Sequence, residues 1–100
     1  MRPVFITAEA QRDLSEIHAY LRREAPFQAD DVLERLERSC QDLAIRAMAF
    51  PLLPGREERG VHRRAVYPYN VLHRVRDEQV EILHVLPGAR DIDPLLFPEG

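Results

Sequence analysis

A chain of 100 residues that is 45% hydrophobic, 31% charged and 7% aromatic, with a formal net charge of −3, has the composition of one folded domain spanning 1–100. It is too apolar and too weakly charged for a disordered chain, and no apolar run approaches the roughly 20 residues of a membrane helix. Its single cysteine, Cys40, excludes an internal disulfide and a cysteine-based zinc cluster, and the early acidic residues of MRPVFITAEAQRD argue against a signal peptide, so a reducing cytoplasm is the expected compartment.

Residues 3–6, Pro-Val-Phe-Ile, form a short apolar run that predicts a strand. Thr7 follows as a helix N-cap, with Glu9 in the first turn where it suits the helix dipole. Ala10, Leu14, Ile17 and Leu21 recur at helical spacing, and the helix should stop near Glu24 because Ala25 precedes Pro26. A second, longer helix starts after Pro26. Its apolar stripe runs through Ala29, Val32, Leu33, Leu36, Cys40, Leu43, Ala47 and Phe50, and Pro51 ends it. Within that stripe Cys40 reads as a core thiol.

Beyond a loop rich in Pro, Gly and charge (51–60), the period changes to that of strands: 61–67, 69–76 and 79–86. Asp77-Glu78 is the expected turn between the last two. A two-residue turn there sets Arg74 opposite Glu81 and Leu72 opposite Leu83, and gathers Val71, Val75, Val80, Ile82, His73 and His84 on one face. Residues 87–100 are turn-rich and expected to be an extended tail. The fold class is therefore α+β: an N-terminal strand, a helical hairpin and a three-stranded antiparallel meander, in the order β-α-α-β-β-β.

All 14 cationic residues are Arg. Six of them lie between Arg56 and Arg76 against two acids, Glu57 and Glu58, so this stretch is net +4 within an acidic chain. Exposed strand arginines such as Arg63, Arg64, Arg74 and Arg76 can hold phosphates or the acids of a partner peptide, and each can equally be consumed in a salt bridge, as Arg74 would be by Glu81. Tyr67 and Tyr69 flank Pro68 beside this patch. No nucleophile elbow, phosphate-binding loop, dinucleotide fingerprint or HExxH helix is present, and no metal site or cofactor is expected. His73 and His84 would be diagonal neighbours, a hydrogen-bonded pair of which one could serve as an acid or base.

The opening VFITAEAQRDLSEIHAYL and the close YNVLHRVRDEQVEILHVLPGARD, with the Ala-Phe-Pro break after the second helix, together resemble the RelE/ParE superfamily of bacterial type II toxin–antitoxin toxins, on the ParE side. The resemblance covers roughly residues 3–95. It implies the same fold, a cognate ParD-like antitoxin joined in a hetero-oligomer, and growth arrest when the toxin is free. RelE-like members cleave mRNA on the ribosome with basic residues and a C-terminal tyrosine. Here Arg63 and Arg90 fall where basic catalytic residues would sit, whereas Val61, Asn70 and Leu96 stand in place of a lysine, an arginine and the tyrosine. A nuclease built on this chain would have to use Arg63, Arg64, Tyr69, His73 and Arg90. ParE-like members poison DNA gyrase by binding, which the resemblance favours, although His84 and Pro87 replace an arginine and a histidine common there. The expected antitoxin contacts are Leu14, Ile17, Leu21, Arg63, Arg64, Arg74 and Arg76. Tyr69, Arg90 and Asp91 are expected to face the target, unless Arg90 and Asp91 pin the tail to the helical hairpin.

Overall fold

The computed structural model describes residues 1–88 and 90–98. Strand β1 (Val4–Ile6) leads into helices α1 (Ala8–Glu24) and α2 (Ala29–Arg46); strands β2 (His62–Val66), β3 (Tyr69–Arg76) and β4 (Gln79–Pro87) follow, and α3 (Asp93–Leu96) is a single helical turn. The sheet order is β1-β4-β3-β2, with β2, β3 and β4 antiparallel and β1 added parallel to β4 at the edge.

Thr7 caps α1 as its chemistry requires: its Oγ1 accepts from the Ala10 N–H at 3.2 Å and donates to the Ile82 carbonyl at 2.7 Å. One hydroxyl thus closes a helix end and ties it to β4. Helix α2 passes into a 3₁₀ turn, Ala47–Ala49, and Pro51 ends the segment. The Pro51 carbonyl then accepts the Arg63 N–H at 2.9 Å, which covers part of the outer edge of β2.

One face of the sheet packs on the helical hairpin. Leu14, Ile17 and Leu21 of α1 and Leu36, Cys40 and Leu43 of α2 meet Val71, Val80, Ile82 and Val85 in one apolar cluster. Each fully buried Leu or Ile side chain contributes about 1.5–3 kcal/mol by leaving water. Burial raises the Cys40 thiol pKa to about 11, so this is an inert core group. The opposite face carries a smaller cluster of Leu53, Val61, Leu72, Leu86 and Phe97.

The Asp77-Glu78 turn has two residues, and both lie at positive φ (53° and 61°), the signature of the hairpin turn that matches strand twist. Arg74 stands opposite Glu81 as expected. Further along, the register shifts: a β-bulge between Leu72 and His73 on the β3 side leaves Leu83 as the extra residue of β4, so Leu72 lies opposite His84 rather than Leu83. His84 accordingly does not share a face with His73, which pairs with Ile82.

The segment after β4 also departs from a fully extended tail. Pro94 starts a helical turn in which the Asp93 carbonyl accepts the Phe97 N–H at 2.8 Å. That turn lowers Phe97, only 6% exposed, onto Val61, Leu72 and Leu86. Ala89, Glu99 and Gly100 of the expected tail lie outside the described residues.

Candidate functional site

The expected partner-facing residues of α1 are committed elsewhere. Leu14, Ile17 and Leu21 are 6–8% exposed and point into the core, because the apolar stripe that made them visible is the stripe the sheet needs. Elsewhere on the hairpin Tyr20 of α1, Ile45 of α2 and Phe27 at the turn are exposed.

The arginines divide by strand parity. Arg64 lies on the helix-facing side of β2; its Nη1 donates to the Ser39 carbonyl and to Asp42 Oδ2, both at 2.8 Å, and its guanidinium sits 4.7 Å from the centre of the Phe50 ring. Arg74 is on the other face and donates through Nε to Glu81 at 2.7 Å. Arg56 reaches Asp93 at 3.4 Å, and Arg56 and Arg59 both lie over the Phe97 ring, 4.9 and 4.7 Å from its centre. Arg63 and Arg76 remain exposed and, among the described residues, make no ion pair. Of the four arginines expected to meet an antitoxin, Arg64 and Arg74 are thus already engaged within the chain.

The residues a nuclease would use do not converge. Tyr69 is buried against the helices, and burial, with the neighbouring Tyr20 hydroxyl, holds its phenol above the ordinary pKa. His73 has no exposed surface. Its Nε2–H donates to the Ala47 carbonyl at 2.9 Å, and its Nδ1 is buried without a hydrogen-bond partner. Burial depresses its pKa, the Ala47 carbonyl opposing that shift. Arg63, opposite Leu72, lies on the other face of the sheet from both. Arg90 is exposed in the segment after β4, and Asp91, also exposed, accepts the Asp93 N–H through Oδ1 at 3.3 Å. No ion pair between Arg90 and the hairpin holds the tail among the described residues; Arg56 and the burial of Phe97 do so instead.

Three features escaped the sequence reading. His62 sits directly opposite His73, the rings stacked at 5.2 Å and 15°, and its Nδ1–H donates to the Phe50 carbonyl at 2.7 Å. The two histidines together hold the end of the α2 segment, a role visible only once β2 and β3 are in register. His84 Nδ1 meets Asp13 Oδ2 at 2.8 Å, and the same oxygen accepts the Val85 N–H at 3.0 Å. Tyr67, 88% exposed, borders with Pro68, Asn70 and Pro87 a shallow groove of about 390 Å³ that Tyr69, expected to face the target, also lines. Among the described residues no three His, Cys, Asp or Glu side chains gather as a metal-binding group, and no helix is long and apolar enough to cross a membrane.

Comparison with known proteins then bears on this geometry. The family model described as "ParE toxin of type II toxin-antitoxin system, parDE" matches residues 4–92. A comparison with curated proteins finds no match. Among solved structures, the chain is similar to one from the chromosomal ParDE toxin–antitoxin system of P. aeruginosa. The TM-score is 0.73 at 20% identity, covering 87% of this chain and 96% of that one. It is also similar to a chain of the toxin–antitoxin complex RelBE2 from Mycobacterium tuberculosis, with a TM-score of 0.65 at 24% identity over 86% of this chain and 96% of that one. At these identities the two structures show the shared fold.

Proposed function

The chain belongs to the ParE toxin family of type II toxin–antitoxin systems, and from that premise we propose that it is held inactive by a cognate ParD-like antitoxin and, when released, arrests growth by binding and inhibiting DNA gyrase. The observation that favours binding over RNA cleavage is the separation of the nuclease candidates. Tyr69 and His73 are buried against the helices while Arg63 faces away from them, so no single phosphate can be reached by all three. Metal-free cleavage of a phosphodiester needs an acid, a base and a cation around one phosphorus.

The same geometry refines how the antitoxin is recognised. Its acidic, partly extended segment pairs with Arg63 and Arg76, whose guanidinium groups are open to solvent, rather than with Arg64 or Arg74. Its amphipathic helix covers the α1–α2 hairpin near its turn, where Tyr20 and Phe27 are exposed. The complex is a hetero-oligomer, in keeping with the ParDE and RelBE2 systems to which the fold is similar. The target meets the groove lined by Tyr67, Pro68, Tyr69 and Pro87, together with Arg90 and Asp91. The cytoplasm is where both partners are found.

Inducing the chain alone in a bacterial host, and following growth, DNA-damage signalling and protein synthesis in parallel, tests this reading. Arrest with DNA damage, translation failing only later, is expected. Immediate loss of translation without DNA damage would transfer the function to a ribosome-dependent mRNA endonuclease, and no arrest from soluble, folded protein would leave an inactive antitoxin-binding domain.

A further inference from the structure

Tyr67 and Pro68 are the two residues that turn β2 into β3, set between the paired Val66 and Tyr69. The backbone of this short turn is held from two sides. Arg35 of α2 reaches across 32 positions of sequence, its Nη2 donating to the Tyr67 carbonyl at 2.7 Å. The Pro68 carbonyl accepts the Gly88 N–H at 2.8 Å. A Cβ on residue 88 would stand 3.2 Å from that same oxygen, so a glycine there eases the close approach of the end of β4.

On an exposed helix face an arginine ordinarily pairs with an acid one turn away, and Asp31 stands four residues before Arg35. Among the described residues Arg35 nevertheless makes no ion pair. Glu34 is taken by Arg38, and the side-chain hydrogen bond of Arg35 goes to the Tyr67 carbonyl. Both carbonyls of the turn are thereby answered, while Tyr67 itself stays in solvent. A tyrosine offers a large contact area with only two side-chain torsions to fix, so a held backbone leaves little freedom to lose on binding.

We propose that Arg35 is a positioning residue for target recognition: by holding the Tyr67 carbonyl it fixes the β2–β3 turn, so that Tyr67 is presented as the anchor of the groove it shares with Pro68, Tyr69 and Pro87. This role rests on the reading of that groove as the surface that meets gyrase. Arg35 acts through the turn and not by touching the target. Without it the Tyr67 backbone loses a charge-assisted hydrogen bond, and ordering the turn falls to the binding step, at about two- to tenfold in affinity. The bond is exposed to solvent, so its loss changes the fold itself little.

The full chain and its variants, compared for binding to purified gyrase and for backbone order at Tyr67 and Tyr69 by amide relaxation, test the role. Tyr67→Ala should weaken gyrase binding by about tenfold or more. Arg35→Met should weaken it by about three- to tenfold, loosen the turn, and lower Tm by no more than roughly 4–8 °C. Arg35→Lys, which keeps a donor, should stay within about threefold of the parent, and Arg38→Met, which removes a cation from the same helix, within about twofold. A double variant separates positioning from direct contact: added to Tyr67→Ala, Arg35→Met should cost no more than about a further twofold. Full additivity, an equal loss in Arg38→Met, or unchanged order of the turn in Arg35→Met would each overturn the proposal. Gyrase left unbound by the parent chain would overturn the gyrase reading instead; a looser turn in Arg35→Met would then still support the positioning, and an unchanged one would overturn it.

Discussion

Replacing Arg64 by Met removes a guanidinium while keeping a side chain of similar length, and its cost can be built from the contacts. The Nη1 group donates to the Ser39 carbonyl and to Asp42 Oδ2 at 2.8 Å each, and the plane lies 4.7 Å from the Phe50 ring centre. Hydrogen bonds to charged groups contribute about 1.5–3 kcal/mol when buried, and a cation over a ring adds about 0.5–1 kcal/mol at an exposed site. The Arg64 side chain is 17% exposed and Asp42 36%, and Asp42 keeps Arg46 at 3.3 Å, so solvent and the second arginine reduce the loss. A net cost of about 2–3 kcal/mol follows, which for a chain of this size lowers Tm by roughly 10–20 °C. Urea unfolding should show a lower midpoint with an unchanged slope. Arg63→Met, one residue away on the other face, should stay within about 0.5 kcal/mol of the parent. Equal stability of the two variants would refute the division of the arginines into those that hold the fold and those left for a partner.

Three further outcomes follow from the same contacts. Glu78 sits at a φ of 61°, where a non-glycine residue carries about 1 kcal/mol of backbone cost; Glu78→Gly should raise Tm by roughly 4–8 °C, and a fall would show that its side chain matters more than its backbone. His73 is buried with a depressed pKa, so the unfolded chain takes up its proton first as pH falls below the ordinary value of 6.5. Stability should decline from there downwards until the depressed folded pKa is passed, with a slope from this group of at most about 1.4 kcal/mol per pH unit. His73→Leu should lose that slope, and an unchanged profile would assign it to other groups. The double change Arg63→Glu with Arg76→Glu should weaken the antitoxin complex by well over about tenfold at low salt while the fold survives. Unchanged affinity by calorimetry would remove the electrostatic half of the recognition.

What could be read from the chain, and what could not, follows from how far each signal reaches. The helical period of Ala10, Leu14, Ile17 and Leu21, the Thr7 cap and the Asp77-Glu78 turn are local patterns, and all three stand in the structure. The bulge at Leu83 adds one residue inside an ordinary apolar strand, without the glycine or proline that would mark it, so the partner of Leu72 and the face of His84 were misplaced, while Leu83 keeps the face of Leu72. The parallel pairing of β1 with β4 joins positions some 75 residues apart, and no local period encodes it. Site residues were harder still. An apolar stripe looks the same whether it meets the chain's own sheet or a partner, which is why Leu14, Ile17 and Leu21 read as contacts. An arginine on a strand looks the same whether Asp42 answers it, as for Arg64, or no acid among the described residues does, as for Arg63.

The claim that this toxin acts by binding gyrase is tested most directly with purified components. The full chain, added to gyrase with relaxed plasmid and ATP, should block supercoiling and trap cleaved DNA. An equimolar antitoxin should restore activity, and the same preparation should leave RNA intact. Normal supercoiling at excess toxin, accompanied by RNA cleavage that Arg90→Ala abolishes, would contradict the account and assign the activity to a nuclease.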